Sequence, residues 1–391
     1  MILPTEILLP YTTITYERVL SYQWYRIKII IHTQCQKSIE NLADYLPDYF
    51  PDISSDKCEK QYHIYEHSLS NNEFQALYDK LINTSYLRIN THVDIWWREY
   101  QITLNGKPAL LFTNEAGWKV IKIVCEGDIL ILTCGLTCDP EKHLLRVVRE
   151  VLYRSLENYG GITLHAAAIS IDSKGFIIIG PSGAGKTSLL GRLVDYYKCD
   201  FITNDRVILL NINDNIIIYH LPLSIRFGLG YALANPKLRA YLYSGTLSRK
   251  REYSAQDINL AQSNAEESWG ARKKLELTPR EFTRIFNVKN RYCVPLKGVL
   301  FPQLYKDKEI FHIEEITPEK AMEITQAELL TPYDQTWPEP WLVKRNGSVA
   351  ELREKSQRFL YDILTKVNRR SLHFGVPFVD RNQQLYENIF A

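Results

Sequence analysis

Gly180-Pro181-Ser182-Gly183-Ala184-Gly185-Lys186-Thr187 is the stretch of this 391-residue chain whose residue types and spacing most clearly allow chemistry. It fits G-x-x-x-x-G-K-[ST]. Glycines permit positive φ, so successive backbone N–H groups can turn inward onto phosphate oxygens. A helix starting at the loop adds its positive end. Lys186 would put a full charge between the outer phosphates, and the Thr187 hydroxyl is a hard oxygen suited to Mg²⁺. Ser182, Ala184 and Ser188 complete the cradle. The bare pattern is loose, but its context is demanding. The apolar run Phe176–Ile179 leads into the loop and a helical pattern over Ser188–Tyr197 leads out. The expectation is a nucleoside triphosphate site. ATP and GTP both stay open, because such a loop reads phosphates and not the base.

Three features flank the loop. His165 stands fifteen residues before Gly180, within the apolar run Ile162–Ser170. Asn204-Asp205 closes the strand expected after the loop helix, and Ser224-Ile225-Arg226-Phe227-Gly228-Leu229-Gly230 comes later. Each has an ordinary reading as well: a satisfied core histidine, a turn aspartate, a surface ion-pair arginine. Taken with the loop, they resemble the HPr kinase family, bacterial serine kinases whose P-loop fold is also related to PEP carboxykinase. That family runs roughly G-x-H-x-x-x-V, G-x-S-G-x-G-K-S, an Asp-Asp pair and E-I-R-G-L-G. The counterparts here are Thr163–Ile169, Gly180–Thr187, Asn204-Asp205 and Ser224–Gly230. The resemblance spans about residues 160–305. It implies that Lys186 contacts the β- and γ-phosphates and that Asp205 joins Thr187 in holding Mg²⁺. It also implies that His165 sits beside the catalytic carboxylate, with Arg226 near the transferred group.

Two departures matter. The first Asp of the pair, the family's general base, is Asn204, and an amide accepts no proton at neutral pH. Either Asp205 does both jobs, or His165 is the base, or little base help is needed, since phosphoryl transfer leans mostly on positioning and charge stabilisation. The acid before I-R is Ser224, so one expected Mg²⁺ ligand is missing. With these departures the chain looks closer to the HPr-kinase-related kinases of peptide-modification clusters, such as the lasso-peptide kinases. Those also carry a stretch like Leu277–Phe282 and end in a segment like Leu372–Pro377. The resemblance implies an Mg²⁺-ATP-dependent kinase acting on a serine-like hydroxyl of a peptide or protein, in natural-product peptide modification. A small-molecule kinase for an amino acid, sugar or antibiotic stays open, as does a regulatory NTP-binding module that transfers nothing.

The elements that must position these residues are legible in outline. Tyr25–Thr33 predicts a strand, Ser38–Leu46 a short helix ended near Pro47, and Asn71–Leu81 a helix. Apolar runs at 95–104, 107–114, 118–124 and 128–134 form a meander, with Asn105-Gly106 as a strong hairpin signal. An α+β domain with an antiparallel sheet is expected over residues 1–145. Helical spacing over Glu141–Asn158 stops at Gly160-Gly161, and the domain boundary falls just before or within that helix. Residues 146–391 are expected to form an α/β P-loop kinase domain of HPr kinase type with a mixed sheet. Its strands are expected at 162–170, 176–180, 201–205, 206–212, 215–221 and 293–304. Its helices start at Lys186 and at Thr278-Pro279, and another covers Val349–Val367. Arg239–Ser268 turns polar and irregular, as a closing flap would. Acceptor choice would fall to the N-terminal domain.

Composition bounds the rest. With 45% hydrophobic and 24% charged residues and no long polar tract, the chain reads as globular. A net charge of +2 and no basic run longer than Arg249-Lys250-Arg251 argue against nucleic acid or acidic membrane as partners. The opening MILPTEILLPYTT is a poor signal peptide, and no uncharged apolar stretch reaches about 18 residues. A cytoplasmic chain is expected. Relatives in the resembled family are oligomeric, so a homo-oligomer stays open. Seven scattered cysteines, with only Cys134 and Cys138 close together, read as reduced thiols and not as a zinc site. His63 and His67 lie four apart with no third ligand in view. Lys273, Lys274 and Arg291 could reach a phosphate, each with a solvated or structural alternative. Trp96 and Trp97 point to opposite faces of a strand, and the outward one could grip a peptide.

Overall fold

The computed structural model describes residues 16, 18–47, 58–81, 84–92, 95–134, 140–244, 254–263, 273–305, 310–375 and 388–390. The chain divides into two units. One lies within Met1–Ala43, Phe50–Asn158 and Tyr333–Asn346, the other within Asp44–Tyr49, Tyr159–Pro332 and Gly347–Ala391.

In chain order the first region holds β1 (Arg18–Trp24), β2 (Ile27–Thr33), α1 (Gln36–Tyr45), β3 (Lys60–Leu69), α2 (Asn71–Leu81), β4 (Leu87–His92), β5 (Ile95–Leu104), β6 (Lys107–Asn114), β7 (Val120–Cys125), β8 (Asp128–Cys134) and α3 (Pro140–Asn158). Its strands form one eight-stranded sheet, ordered β1-β2-β3-β8-β7-β6-β5-β4. The meander from β4 to β8 is antiparallel, as expected. However, β2, β3 and β8 run parallel, so the sheet is mixed and the antiparallel expectation is corrected. Between β2 and β3 the cause is the helical crossover α1, which returns the chain to the end of the sheet where β2 began; a tight turn cannot do that. Asn105-Gly106 makes the expected hairpin, with φ of 52° and 78°. Both values are positive, which is the turn that matches strand twist.

Phe74, Leu77 and Leu81 of α2 share a core with Tyr100, Ile102, Leu111, Ile123 and Leu132. Each such side chain contributes about 1.5–3 kcal/mol when fully buried. Tyr333–Asn346 joins this unit through α3: the buried Arg154 donates to Trp337 O at 2.7 Å and to Glu157 at 3.2 Å. Trp97 is buried. Trp96 faces outward with the Arg88 guanidinium 4.2 Å over its ring.

The second unit continues with β9 (Ile162–Leu164), β10 (Ala166–Ile171), β11 (Lys174–Ile179), α4 (Lys186–Tyr197), β12 (Asp200–Thr203), β13 (Val207–Ile212), β14 (Asn215–Tyr219), β15 (Ile225–Gly228), α5 (Leu229–Ala234), α6 (Pro236–Ser244) and α7 (Ala255–Ser263). Then come β16 (Lys274–Leu277), α8 (Pro279–Phe286), β17 (Cys293–Tyr305), β18 (Phe311–Glu315), α9 (Pro318–Gln326), α10 (Val349–Lys366) and β19 (Asn368–Gly375). The main sheet is ordered β12-β10-β11-β17-β14-β13-β9, with β19 beside β17 and β18 beside β19. It is mixed: β17 runs parallel to β11 and β19 and antiparallel to β14. Alternation along β11 sends Phe176 and Ile178 to a core shared with Leu189, Leu190 and Leu193 of α4. Ile177 and Ile179 enter a second core with Leu360, Ile363 and Leu364 of α10. Helices therefore cover both faces, and β11 is apolar from Phe176 to Ile179 because neither face meets water there.

Two expectations need correction here. The polar stretch 239–268 is not irregular where it is described, since α6 and α7 are helices and Ser254 and Asp257 cap the latter reciprocally. The remainder of that stretch lies outside the described residues. The run 162–170 is two strands, broken at His165. Among the described residues no helix is long and apolar enough to cross a membrane. Cys35, Cys58, Cys125, Cys134, Cys199 and Cys293 are free thiols, and Cys138 lies outside the described residues.

Candidate active site

Strand β11 ends at Ile179, and the chain turns through 180–185 into α4. Gly183 and Gly185 take φ of 85° and 96°. Gly185 is the N-cap of α4 and brings no side-chain cap, so no capping side chain occupies the first amides of the helix. The loop is braced from two strands. Leu304 N of β17 donates to Ala184 O at 3.1 Å. A Cβ on Gly185 would lie 2.8 Å from Leu304 Cβ and 3.1 Å from Phe374 Cζ of β19. Phe374 belongs to the segment that begins at Leu372; of its last residues, Val376 and Pro377 lie outside the described residues. Lys186 Nζ donates to Gly180 O at 2.5 Å and to Pro181 O at 3.3 Å. Burial pulls the Lys186 ammonium below the usual lysine range, opposed by Glu328 and Asp205 and reinforced by Lys274.

His165 and Asp205 meet because two chain interruptions face each other. Leu164 pairs with Val207, and Ala168 pairs with Thr203. Residues 165–167 and 204–206 lie between those pairings, where the chain leaves one set of partners for another. The buried Thr203 hydroxyl donates to Arg206 O at 2.9 Å and closes the second interruption. Asp205 takes φ of 70°, a left-handed conformation that aspartate tolerates better than most residues. Asp205 Oδ1 is then 3.7 Å from His165 Nε2, and its other oxygen is held by Arg206. Asn204 is buried beside it.

The sequence reading missed Glu328. Its Oε2 lies 2.7 Å from His165 Nδ1 and 3.9 Å from Lys186 Nζ. Glu328 follows α9 and is 163 residues from His165 in sequence, and no local signal marks it. The main chain fixes it there. His165 N donates to Glu328 O at 2.8 Å, Leu329 bridges Leu164, and Leu330 N donates to Thr163 O at 2.8 Å.

The other candidates separate. Arg226 on β15 pairs with Glu276 on β16, at 3.3 Å and directly across the strands. Ser224 Oγ donates to the same carboxylate at 2.6 Å. Glu276 thus meets both Ser224 and Arg226. Lys273 is tied to Asp257 at 2.6 Å, whereas Lys274 is the lysine whose charge reaches Lys186. Arg291 donates to Asp200 at 2.6 Å, which is the structural reading of that residue. A surface cavity of about 340 Å³ lined by Phe311, His312, Glu314 and Arg370 shares no residue with this site.

The residues present fit a nucleotide with Mg²⁺. The positive-φ glycines and uncapped helix amides suit phosphate oxygens. Thr187, half-buried, and Asp205, with a side chain 48% exposed, offer the sparse oxygen donors that Mg²⁺ uses alongside phosphates. Among the described residues no group of three His, Cys, Asp or Glu side chains forms a ready-made metal cage.

No protein-family model matches the chain, and no curated protein matches it. Among solved structures, the Hpr(Ser) kinase/phosphatase from Coxiella burnetii is similar over 58% of this chain and 90% of its own, at 12% identity and a TM-score of 0.23. At that TM-score the likeness carries neither residues nor an activity across.

Proposed function

We propose that the chain is an Mg²⁺-dependent phosphotransferase that moves the γ-phosphoryl group of ATP to a hydroxyl, of the serine type, on a peptide or protein. The observation that carries the reading is the meeting of His165 and Asp205 beside Lys186, brought together by two matched interruptions of the sheet. A loop that only binds a nucleotide has no need of an imidazole and a carboxylate on that side. Lys186 and the amides of 180–187 would hold the phosphates. Thr187 and Asp205 would hold Mg²⁺, which supplies neutralisation of charge on the β- and γ-oxygens. Arg226, 59% exposed, would swing from Glu276 toward the transferred group. The acceptor would be chosen by the unit built mainly from the first 158 residues, in the modification of a natural-product peptide.

The test is incubation with γ-labelled ATP, Mg²⁺ and pooled serine- and threonine-containing peptides. Label in peptide supports the reading. Label in an amino acid or sugar added in parallel makes the chain a small-molecule kinase. Label only in free phosphate, at a rate no acceptor changes, overturns phosphotransfer.

A further inference from the structure

Asn204 is buried beside Asp205, and an amide cannot take up an acceptor's proton. Asp205 is a weaker base, because Arg206 pairs with one of its oxygens. His165 is arranged differently at its two ends. Its Nδ1 faces Glu328 Oε2 at 2.7 Å, and its Nε2 faces Asp205 Oδ1 at 3.7 Å. A carboxylate oxygen has no hydrogen to give, so its approach to 2.7 Å favours the tautomer with the hydrogen on Nδ1. The second distance is too long for a hydrogen bond, so in that tautomer Nε2 carries the lone pair, on the side of Asp205. Exposure follows the same division. The Glu328 side chain is 11% exposed and that of His165 37%, so the carboxylate is enclosed and the imidazole opens outward. Glu328 is also fixed by its backbone, through His165 N and the bridge between Leu164 and Leu329, so carboxylate and ring cannot drift apart independently.

We propose that His165 is the general base and Glu328 its positioning residue; this rests on the phosphotransfer reading above. The acceptor hydroxyl gives its proton to His165 Nε2. Its oxygen forms a bond to the γ-phosphorus while the bond from that phosphorus to the β,γ-bridging oxygen breaks, and ADP leaves with the electron pair. Glu328 holds the Nδ1–H throughout and offsets the charge that the ring gains. The imidazolium then releases its proton to water. Lys186, 3.9 Å from the same Glu328 oxygen, couples the pair to the loop.

The test uses the full chain and Glu328→Gln. An amide can donate to Nδ1 as well as accept from it, so it no longer fixes the tautomer. Three readouts separate positioning from a purely structural role. By ¹⁵N-histidine NMR, with His165→Gln identifying the signal, the wild type shows the Nδ1–H tautomer and Glu328→Gln loses that preference. With the pooled peptides, kcat falls about 10²-fold or more while KM for Mg-ATP is unchanged. Binding of a fluorescent ADP analogue with Mg²⁺ is retained, and the double variant with His165→Gln is no slower than His165→Gln alone. Glu328→Asp, which keeps an acceptor with shorter reach, falls between wild type and Glu328→Gln, and it carries the same readouts should Glu328→Gln not fold. A wild-type Nε2–H tautomer, an undiminished kcat, or additive losses in the double variant overturns the assignment while leaving phosphotransfer intact. No transfer by the wild type overturns phosphotransfer itself, and the catalytic role of the pair with it.

Discussion

At the residue scale, the loop's glycines and the two lysines at the start of β16 have different jobs. Gly185 combines positive φ with a packed surrounding, so a methyl there meets Leu304 before any nucleotide arrives. Gly185→Ala should lower stability by about 1–3 kcal/mol and weaken nucleotide binding, read by thermal melting and by titration with a fluorescent ADP analogue. Lys273 and Lys274 are indistinguishable in sequence, yet only the first is committed to Asp257. Lys274→Ala should weaken Mg-ATP binding about tenfold, in keeping with the ~1.5 kcal/mol of a charged hydrogen bond, whereas Lys273→Ala should leave it unchanged. Equal effects would undo the distinction. Lys186, Thr187, His165 and Asp205 were all legible in the sequence, because a phosphate loop and its flanking residues are local patterns. Glu328 was not, because it reaches His165 only through a chain return after α9, and an acid after a surface helix is an ordinary sight.

At the element scale, legibility followed local chemistry. Helix α8 was placed by Thr278 and Pro279, and the capping box with Glu281 is present. Thr278→Ala should cost about 1 kcal/mol in urea unfolding, since it leaves the N3 amide without its acceptor; a loss near zero would mean that the buried Phe282 and Phe286 fix the helix alone. Strand β3 went unread because its inward row is Tyr62, Ile64 and Glu66. Glu66 breaks the apolar alternation, and it is tolerated because Thr33 and Ser38 donate to it at 2.6 and 2.9 Å. The break at His165 was equally hidden: all-apolar flanks look the same whether one strand or two run through them. That break is what lets the imidazole leave the sheet and meet Asp205.

At the scale of the whole molecule, each unit has its own core and its own response to conditions. His143, buried in the first unit, is pushed down to about 2, first by burial and then by Lys122, Arg146 and Lys142. Its folded value lies below its unfolded value of about 6.5, so the folded state holds fewer protons; its stabilising contribution is full above that pH and is lost as pH falls through it. Burial pushes Glu150 the other way, up to about 7, so its contribution declines as pH rises from about 4.5 to 7. Comparing His143→Phe with the wild type isolates the histidine. The melting-temperature difference should shift in favour of the variant from pH 7 to pH 5, and a constant difference would contradict this. The sequence pattern changes near α3, from a meander to the strands around the loop. The return of Tyr333–Asn346 to the first unit was not legible, because the contacts of Trp337 and Trp341 with α3 and Trp97 are long-range. The central claim, that the site at Gly180–Thr187 transfers phosphate and does more than bind it, is tested most directly by mass spectrometry of an acceptor peptide after incubation with ATP carrying heavy oxygen on its γ-phosphate. The account predicts heavy phosphate on a hydroxyl side chain with the wild type and none with Lys186→Ala. Heavy phosphate found only free in solution, with every acceptor unmodified, would contradict it.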